Sequence, residues 1–220
     1  VGKTTVAVNI AVLLAAQGAR VGLFDADVDC PNADTVLGVN RRPEYRDGEL
    51  IPAERMGVKI LSMASFQEKD DEAIIWRGPM ITNALNQFLE MTEWGELDYL
   101  VVDLPPGTSD SPLTIMQVLK MDGFVVVTTP QRLAALDAKR SINMIRKLQV
   151  NVLGVVENYS GSIFGEGAGM ILAQEVDAPF LGCMALRGSY RDTSKPTVLS
   201  DPDVKLEYTS LANGVRKSLQ

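Results

Sequence analysis

Short apolar runs alternate with longer helix-like segments along most of the chain. Two of the runs, at residues 100–102 and 124–127, consist entirely of apolar residues. Continuous runs of this kind are typical of strands buried on both faces of a parallel sheet. The pattern predicts strands at residues 20–24, 58–63, 99–102, 123–128 and 152–156, with a short one at 179–182.

Helical patterns occupy the intervals between these strands. We predict helices at residues 5–17, 80–91, 111–120, 134–148, 168–175 and 208–217. This alternation predicts an α/β fold, namely a doubly wound, mostly parallel sheet with helices on both faces. The polar stretch 40–55 is interpreted as a surface insertion loop. No linker or repeat interrupts the pattern, so we predict one domain over residues 1–220.

Composition and charge narrow the classes of function. The 220 residues are 46% apolar and 22% charged, which is typical of a globular protein. Lys and Arg number 21 against 28 Asp and Glu, a net charge of −7. An acidic chain lacks the positive field that attracts DNA or anionic membranes, so we expect neither as a partner. No apolar run reaches the ~20 residues of a membrane span and no signal peptide is visible, which predicts a cytoplasmic protein.

The absence of histidine and the low number of cysteines exclude several kinds of catalytic and metal site. The chain has no histidine, which excludes catalysis by Ser-His or Cys-His pairs and metal sites built on histidine. It has two cysteines, Cys30 and Cys183, and no CxxC pair. This is too few for a disulfide framework or a four-cysteine zinc site.

The chain opens with the second half of a phosphate-binding loop. Val1-Gly2-Lys3-Thr4-Thr5 matches the end of G-x-x-x-x-G-K-[ST], and we expect that the first glycine and the preceding strand are absent from this sequence. In such a loop backbone N–H groups cradle phosphates, Lys3 contacts the outer phosphates and the Thr4 hydroxyl binds Mg²⁺. The apolar helix predicted after it supports this interpretation. The alternative is a chance GKT at the start of a polar helix.

Polar residues follow several predicted strands, where ligands bind in doubly wound sheets. Asp103 ends an apolar strand in the manner of a Walker B aspartate and can hold Mg²⁺ through water. It also begins the turn Pro105-Pro106-Gly107, and the two roles are compatible.

Three further polar residues have two interpretations each. Asp25 or Asp27 can orient or deprotonate an attacking water, because without histidine a carboxylate is the only plausible base. Alternatively, Asp27 and Asp29 cap the following turn. Asn158 has an amide suited to the edge of a nucleotide base, and it is equally a turn-forming residue.

Seven segments together resemble a known family. They occur in family order and span nearly the whole chain: GKTT at the start, DADVDCPN at 25–32, WRGPM at 76–80, VVDLPPGTSD at 101–110, TTPQ at 128–131, VENYS at 156–160 and PFLG at 179–182. The sequence resembles the deviant-Walker-A P-loop ATPases of the MinD/ParA type. Within them WRGPM and DLPPGT indicate the Mrp/ApbC branch, whose members are ATP-binding homodimers that carry or transfer iron–sulfur clusters.

The resemblance implies roles for individual residues. The residues that it implies bind nucleotide are Gly2, Lys3, Thr4, Thr5, Pro130 and Asn158, and Asn158 is implied to contact adenine. Mg²⁺ ligands are implied at Thr4, Asp27 and Asp103. Asp27 resembles the switch I carboxylate that serves hydrolysis, with Asp25 beside it and Lys3 as the third catalytic residue. Residues 104–110 resemble switch II.

The chain departs from the family at one segment. Carriers of this branch place a CxxC pair soon after the motif seen here as VENYS, but residues 160–168 contain no cysteine. Carboxylates and hydroxyls replace thiolate poorly at iron–sulfur centres. We therefore expect no stable cluster, and we interpret Cys30 and Cys183 as small buried apolar residues.

These observations predict a slow, Mg²⁺-dependent ATP hydrolase of the iron–sulfur carrier type that switches as a homodimer. One alternative is a non-carrier regulator or scaffold that uses ATP to recruit a protein partner. The other is a positioning ATPase of the ParA/MinD type. The net charge of −7 and the few basic residues of the last predicted helix argue against the latter.

Overall fold

The computed structural model describes residues 1–39, 43–66, 77–107, 110–192 and 195–220. Trp76 of WRGPM and residues 108–109 of switch II lie outside the described residues, as do residues 40–42 of the predicted insertion. The chain divides into two compact units. The first comprises Val1–Val6, Lys120–Asp192 and Thr197–Gln220, and the second is chiefly Ala7–Leu119.

Seven α-helices and nine strands are present in the described residues. The helices are α1 (Lys3–Ala16), α2 (Ala33–Leu37), α3 (Gly78–Met91), α4 (Asp110–Val118), α5 (Arg132–Lys147), α6 (Ala168–Glu175) and α7 (Pro202–Ser218). The strands are β1 (Val21–Asp25), β2 (Glu44–Arg46), β3 (Glu49–Ile51), β4 (Ala53–Arg55), β5 (Val58–Ser62), β6 (Tyr99–Asp103), β7 (Phe124–Thr128), β8 (Val152–Ser160) and β9 (Phe180–Ala185).

The second unit is built on a four-stranded sheet of order β4-β5-β1-β6. Strand β1 pairs in parallel with both β5 and β6, and its residues are fully buried. Because all three parallel strands end at the same edge, the register places Ser62, Asp25 and Asp103 side by side there. Helix α3 packs against α4, and four of its apolar residues are buried, namely Ile81, Ala84, Leu85 and Phe88.

The first unit is built on a three-stranded parallel sheet of order β7-β8-β9. Helix α5 packs on β7, α6 on β8 and β9, and α7 chiefly on β9. Helix α7 begins at Pro202, where the Asp201 side chain accepts hydrogen bonds from the backbone N–H groups of Asp203 and Val204. A carboxylate cap followed by proline is a favourable start to a helix.

All six predicted strands and all six predicted helices are present, with ends that differ by a few residues. The largest extensions are β8, which continues to Ser160, and α7, which begins six residues before position 208. The insertion-loop interpretation was wrong for residues 43–55. There β2 and β3 pair as an antiparallel hairpin and β4 pairs antiparallel with β5. These strands have three residues each and are mostly exposed, so they leave no apolar pattern in the sequence.

Helix α1 is buried along its middle, where its sequence has no charged residue. Residues 6–14 are all buried. Gly18, with φ of 92°, follows its end and donates its backbone N–H to the Ala15 carbonyl. Within the described part of the chain, no helix is long and apolar enough to cross a membrane.

We expect the stability of the β7-β8-β9 sheet to depend on glycine at position 154. Its φ is 155°, and a Cβ atom there would lie 2.5 Å from Leu181 Cγ and 2.6 Å from the Pro179 carbonyl oxygen. Gly182 in β9 is the matched control, because its φ is 125° but a Cβ there would meet no atom within 4 Å. Gly154→Ala should therefore lower the free energy of unfolding by about 1–3 kcal/mol more than Gly182→Ala, as measured by urea denaturation. Equal losses would mean that backbone conformation alone matters.

Candidate functional site

The phosphate-loop residues lie at the start of α1. Gly2 has φ of 79°, a left-handed conformation that favours glycine, and Lys3 is the first residue of the helix. A Cβ atom on Gly2 would lie 2.5 Å from Asn158 Nδ2 and 2.7 Å from the Tyr159 hydroxyl oxygen. The backbone can therefore turn into α1 at this point only because residue 2 has no side chain.

Lys3, Thr4 and Thr5 form the first turn of α1, and all three are partly exposed. The first N–H groups of a helix have no carbonyl partner within it, and the helix dipole gives this end a partial positive charge. With the Lys3 ammonium added, the arrangement suits an anion such as a phosphate group. The phosphate-binding role of these residues stays a prediction.

Asn158 lies near the end of β8 and is almost fully buried. Its side-chain amide donates a hydrogen bond of 2.9 Å to the Val1 carbonyl oxygen. The residue therefore holds the backbone that leads into Gly2, a contact that neither interpretation of the sequence included. Its predicted contact with adenine remains a prediction. Pro130, the other residue given a nucleotide role, is partly exposed and follows β7.

In the second unit, Asp25 is fully buried at the end of β1. Its Oδ2 accepts hydrogen bonds from the Ala33 backbone N–H at 2.8 Å and from the Ser62 hydroxyl at 3.3 Å. Its Oδ1 accepts one from the Asp27 backbone N–H at 3.1 Å. Both oxygens are engaged, so Asp25 fixes the turn after β1 and the start of α2.

The surroundings of Asp25 disfavour its charged form. Burial raises the pKa of its carboxyl group to about 7, and the neighbouring Asp103 and Asp27 carboxylates act in the same direction. The hydrogen bonds from Ala33 and Asp27 oppose the shift without cancelling it. Asp25 therefore exchanges its proton near neutral pH.

Asp27 follows the end of β1 and is 9% exposed. Its Oδ1 accepts hydrogen bonds from the backbone N–H groups of Asp29 at 3.2 Å and Cys30 at 3.1 Å. The capping role considered for Asp27 is thus present in the structure. Both of these hydrogen bonds, the ones found for the Asp27 carboxylate within the described ranges, reach Oδ1 and not Oδ2. The role of Asp27 in hydrolysis stays a prediction.

Asp103 is 3% exposed at the end of β6, directly beside Asp25 in the register. Its role as a Walker B aspartate stays a prediction. Across the residues that the structure describes, no group of three or more His, Cys, Asp or Glu side chains could hold a metal ion by itself. A metal at this edge would need additional oxygen ligands.

The interpretation of both cysteines as buried residues was wrong. Cys30 lies exposed in the turn after β1, and Cys183 lies exposed in β9, an edge strand of its sheet. Partial burial, followed by the Glu207 and Glu157 carboxylates, raises the pKa of the Cys183 thiol. A raised pKa disfavours the thiolate form that metals and iron–sulfur clusters require.

Two residues of the VENYS segment were given no role of their own by the sequence analysis. Glu157 and Tyr159 flank Asn158 in β8; Glu157 is buried, and Tyr159 has φ of 58°. The signal for Glu157 was a single carboxylate after four residues of a buried strand, Leu153 to Val156. The conformation of Tyr159 has no signal in the sequence, because it arises from a shift in the pairing of β8 with β9.

We expect Asp25 to make stability depend on pH. Its folded pKa of about 7 lies above the ordinary 3.8, so the folded protein binds this proton more tightly than the unfolded chain does. Wild-type protein therefore loses stability as the pH rises from about 4 to about 7. Asp25→Asn cannot ionise and should gain roughly 2–4 kcal/mol relative to wild type between pH 5 and pH 8. Urea unfolding in Mg²⁺-free and nucleotide-free buffer checks this, and parallel pH profiles would contradict it.

Sequence comparison identifies relatives along almost the whole chain. The model of the family described as ParA: NUBPL iron-transfer P-loop NTPase matches residues 1–216. A relative from Synechocystis sp. is 45% identical over 92% of this chain and 63% of its own length. Another from Escherichia coli strain K12 is 44% identical over 100% of this chain and 64% of its own length. Both are named iron-sulfur cluster carrier protein, and the chain spans less than two thirds of either.

Solved structures confirm the predicted fold class. A nucleotide-binding protein from Archaeoglobus fulgidus, solved in complex with ADP, superposes with a TM-score of 0.77 at 33% identity, covering 91% of this chain and 83% of its own. The cell division ATPase MinD from Pyrococcus furiosus superposes with a TM-score of 0.76 at 20% identity, covering 98% and 93%. The second likeness concerns the fold alone. Together with the family match and the two relatives, these findings show that the chain belongs to the NUBPL-type iron-transfer P-loop NTPases of the ParA group, as the resemblance to the MinD/ParA and Mrp/ApbC proteins predicted.

Proposed function

We propose that the protein binds ATP with Mg²⁺ at the turn that leads from Gly2 into α1, and that it hydrolyses the nucleotide slowly. The observation that carries this proposal is the left-handed Gly2 followed at once by Lys3 at the first position of a buried helix. This arrangement presents backbone N–H groups and one ammonium to an anion. Family membership and the ADP complex of the Archaeoglobus protein support the assignment.

The residues fit Mg²⁺ as the metal. The Thr4 hydroxyl and the Asp103 and Asp27 carboxylates are hard oxygen donors, which Mg²⁺ prefers, and it commonly completes its coordination with phosphates and waters. Too few carboxylates and thiols cluster in the described residues to hold a metal without such additional ligands. When bound, the ion neutralises charge on the outer phosphates.

For hydrolysis we assign different tasks to the two neighbouring aspartates. Asp27 has a carboxylate oxygen, Oδ2, that can accept a hydrogen bond from an attacking water. Asp25 has both oxygens engaged by Ala33, Asp27 and Ser62, so it positions the turn that carries Asp27. Lys3 stabilises the charge that develops on the transferred phosphoryl group.

We further propose that the protein acts in the cytoplasm as a homodimer whose nucleotide state controls its binding to a partner protein. The relatives' name indicates iron–sulfur clusters as cargo. In this chain the segment after Asn158 offers no thiol, since Ser160 to Ala168 contain only Ser, Gly, Ile, Phe, Glu and Ala. This observation favours a second candidate, a family member that serves cluster transfer as an ATP-dependent regulator without holding the cluster.

Replacing Lys3 tests the nucleotide site. Lys3→Ala removes the point charge on the outer phosphates, and we expect ATP affinity measured by calorimetry to fall at least ~100-fold, or about 2.7 kcal/mol. Lys205→Ala, which removes an exposed ammonium near the start of α7, is the matched control and should leave affinity unchanged. Wild-type affinity in Lys3→Ala would contradict the assignment, provided that both variants unfold at the wild-type temperature.

A further inference from the structure

A buried carboxylate in β8 holds together the segment that follows it. The Glu157 side chain is 1% exposed, and Oε1 accepts hydrogen bonds from the Ser160 hydroxyl and the Gly167 backbone N–H, both at 2.9 Å. Oε2 accepts one at 2.6 Å from the backbone N–H of Gly169, in the first turn of α6. The charge thus lies at the positive end of a helix, where it is stabilised.

The segment between these donors is a small hairpin. Gly161 and Gly165 each donate a backbone N–H to the other's carbonyl, at 2.9 and 2.8 Å. Ile163 and Phe164 form the exposed tip of this hairpin. Glu157 therefore fixes both ends of the hairpin, at Ser160 and at Gly167.

The contact between Glu157 and α6 is closely fitted. A Cβ atom on Gly169 would lie 2.8 Å from the Glu157 Cβ and 3.3 Å from its Oε2. Glycine at 169 thus allows the carboxylate to approach the backbone of the helix. Because the packing is this close, a displacement of α6 would either move the Glu157 side chain or break its hydrogen bond to Gly169.

The two residues of β8 that follow Glu157, Asn158 and Tyr159, lie against the phosphate loop. The Asn158 side-chain amide donates a hydrogen bond to the Val1 carbonyl oxygen. The same amide and the Tyr159 hydroxyl lie so near Gly2 that a Cβ atom there would be 2.5 and 2.7 Å from them. Tyr159 is held in the left-handed region, at a point where the register of β8 against β9 shifts between Asn158 and Ser160. Such a bulge redirects the side chains around it.

We infer that Glu157 is a positioning residue that couples the Gly161–Gly165 hairpin to the phosphate loop, so that nucleotide binding and hairpin conformation are energetically linked. Linkage is reciprocal, so a partner that binds the hairpin tip would in turn change the affinity for nucleotide. This inference rests on the proposed nucleotide binding at Gly2 to Thr5.

Glu157→Gln tests the coupling because it keeps the shape and replaces one acceptor oxygen with a donor. The new amide nitrogen must face the N–H of either Gly167 or Gly169, and two donors cannot form a hydrogen bond, so one of these two hydrogen bonds is lost. Glu166→Gln is the matched control, the same substitution at an exposed carboxylate of the same loop. Should Glu157→Gln fail to fold, Ser160→Ala removes one donor and should act in the same direction.

The first measurement is amide hydrogen exchange without nucleotide. The reporters are the N–H groups of Gly161 and Gly165 for the hairpin and the N–H of Val6, which donates to the Gly2 carbonyl at 3.1 Å, for the phosphate loop. We expect faster exchange at all three in Glu157→Gln and wild-type exchange in Glu166→Gln. Faster exchange in the hairpin with unchanged Val6 would overturn the coupling, whatever the protein binds.

The second measurement adds ATP and Mg²⁺. In wild type we expect nucleotide to slow exchange at Gly161 and Gly165, and in Glu157→Gln we expect this protection to disappear and ATP affinity to fall about 5-fold or more. Unchanged affinity and protection in Glu157→Gln would overturn the inference. Absence of ATP binding to wild type would refute the proposed function instead, and the coupling would then be decided by the nucleotide-free exchange.

Discussion

Buried carboxylates at the ends of parallel strands impose the main constraint on this structure. Asp25 ends β1 and Glu157 lies near the end of β8. The hydrogen bonds described for both come from serine hydroxyls and from backbone N–H groups of the following loop and of the helix after it. A buried carboxylate that lost these donors would be very unfavourable. Each loop must therefore fold back onto its strand end, and this fixes the backbone on which the candidate site is built.

The same constraint separates residues that hold the site from residues that can act in it. Asp25 uses both oxygens on the turn and α2, whereas Asp27 uses only Oδ1 on backbone N–H groups. Glu157 stabilises the hairpin, while its neighbour Asn158 contacts the Val1 backbone next to Gly2. In each unit, a carboxylate that holds the backbone thus lies close in sequence to a residue proposed to bind a ligand. Asp25 precedes Asp27, which is proposed to bind water, and Glu157 precedes Asn158, which is proposed to bind nucleotide.

Much of this could be predicted from the sequence because the determining signals are local. The apolar runs predicted the parallel strands of both sheets, and the GKTT opening predicted a helix start with a glycine before it. The short strands within residues 43–55 and the exposure of Cys183 could not be predicted, because they depend on pairing at a sheet edge. The Asn158–Val1 hydrogen bond joins residues 157 positions apart, so no local pattern indicates it. The conformation of Tyr159 follows a register shift between β8 and β9, which also leaves no pattern in the sequence.

The chain belongs to an iron-transfer family, and we propose that it binds nucleotide at Gly2 to Thr5 but holds no cluster, because residues 160–168 contain no cysteine. Anaerobic reconstitution with iron and sulfide in the presence of ATP, followed by visible spectroscopy and metal analysis, tests this most directly. We expect no charge-transfer absorption and negligible iron and sulfide, because a bridging 4Fe–4S cluster needs four thiolates from a dimer. About four iron and four sulfide per dimer, lost in Cys30→Ser or Cys183→Ser, would contradict the claim.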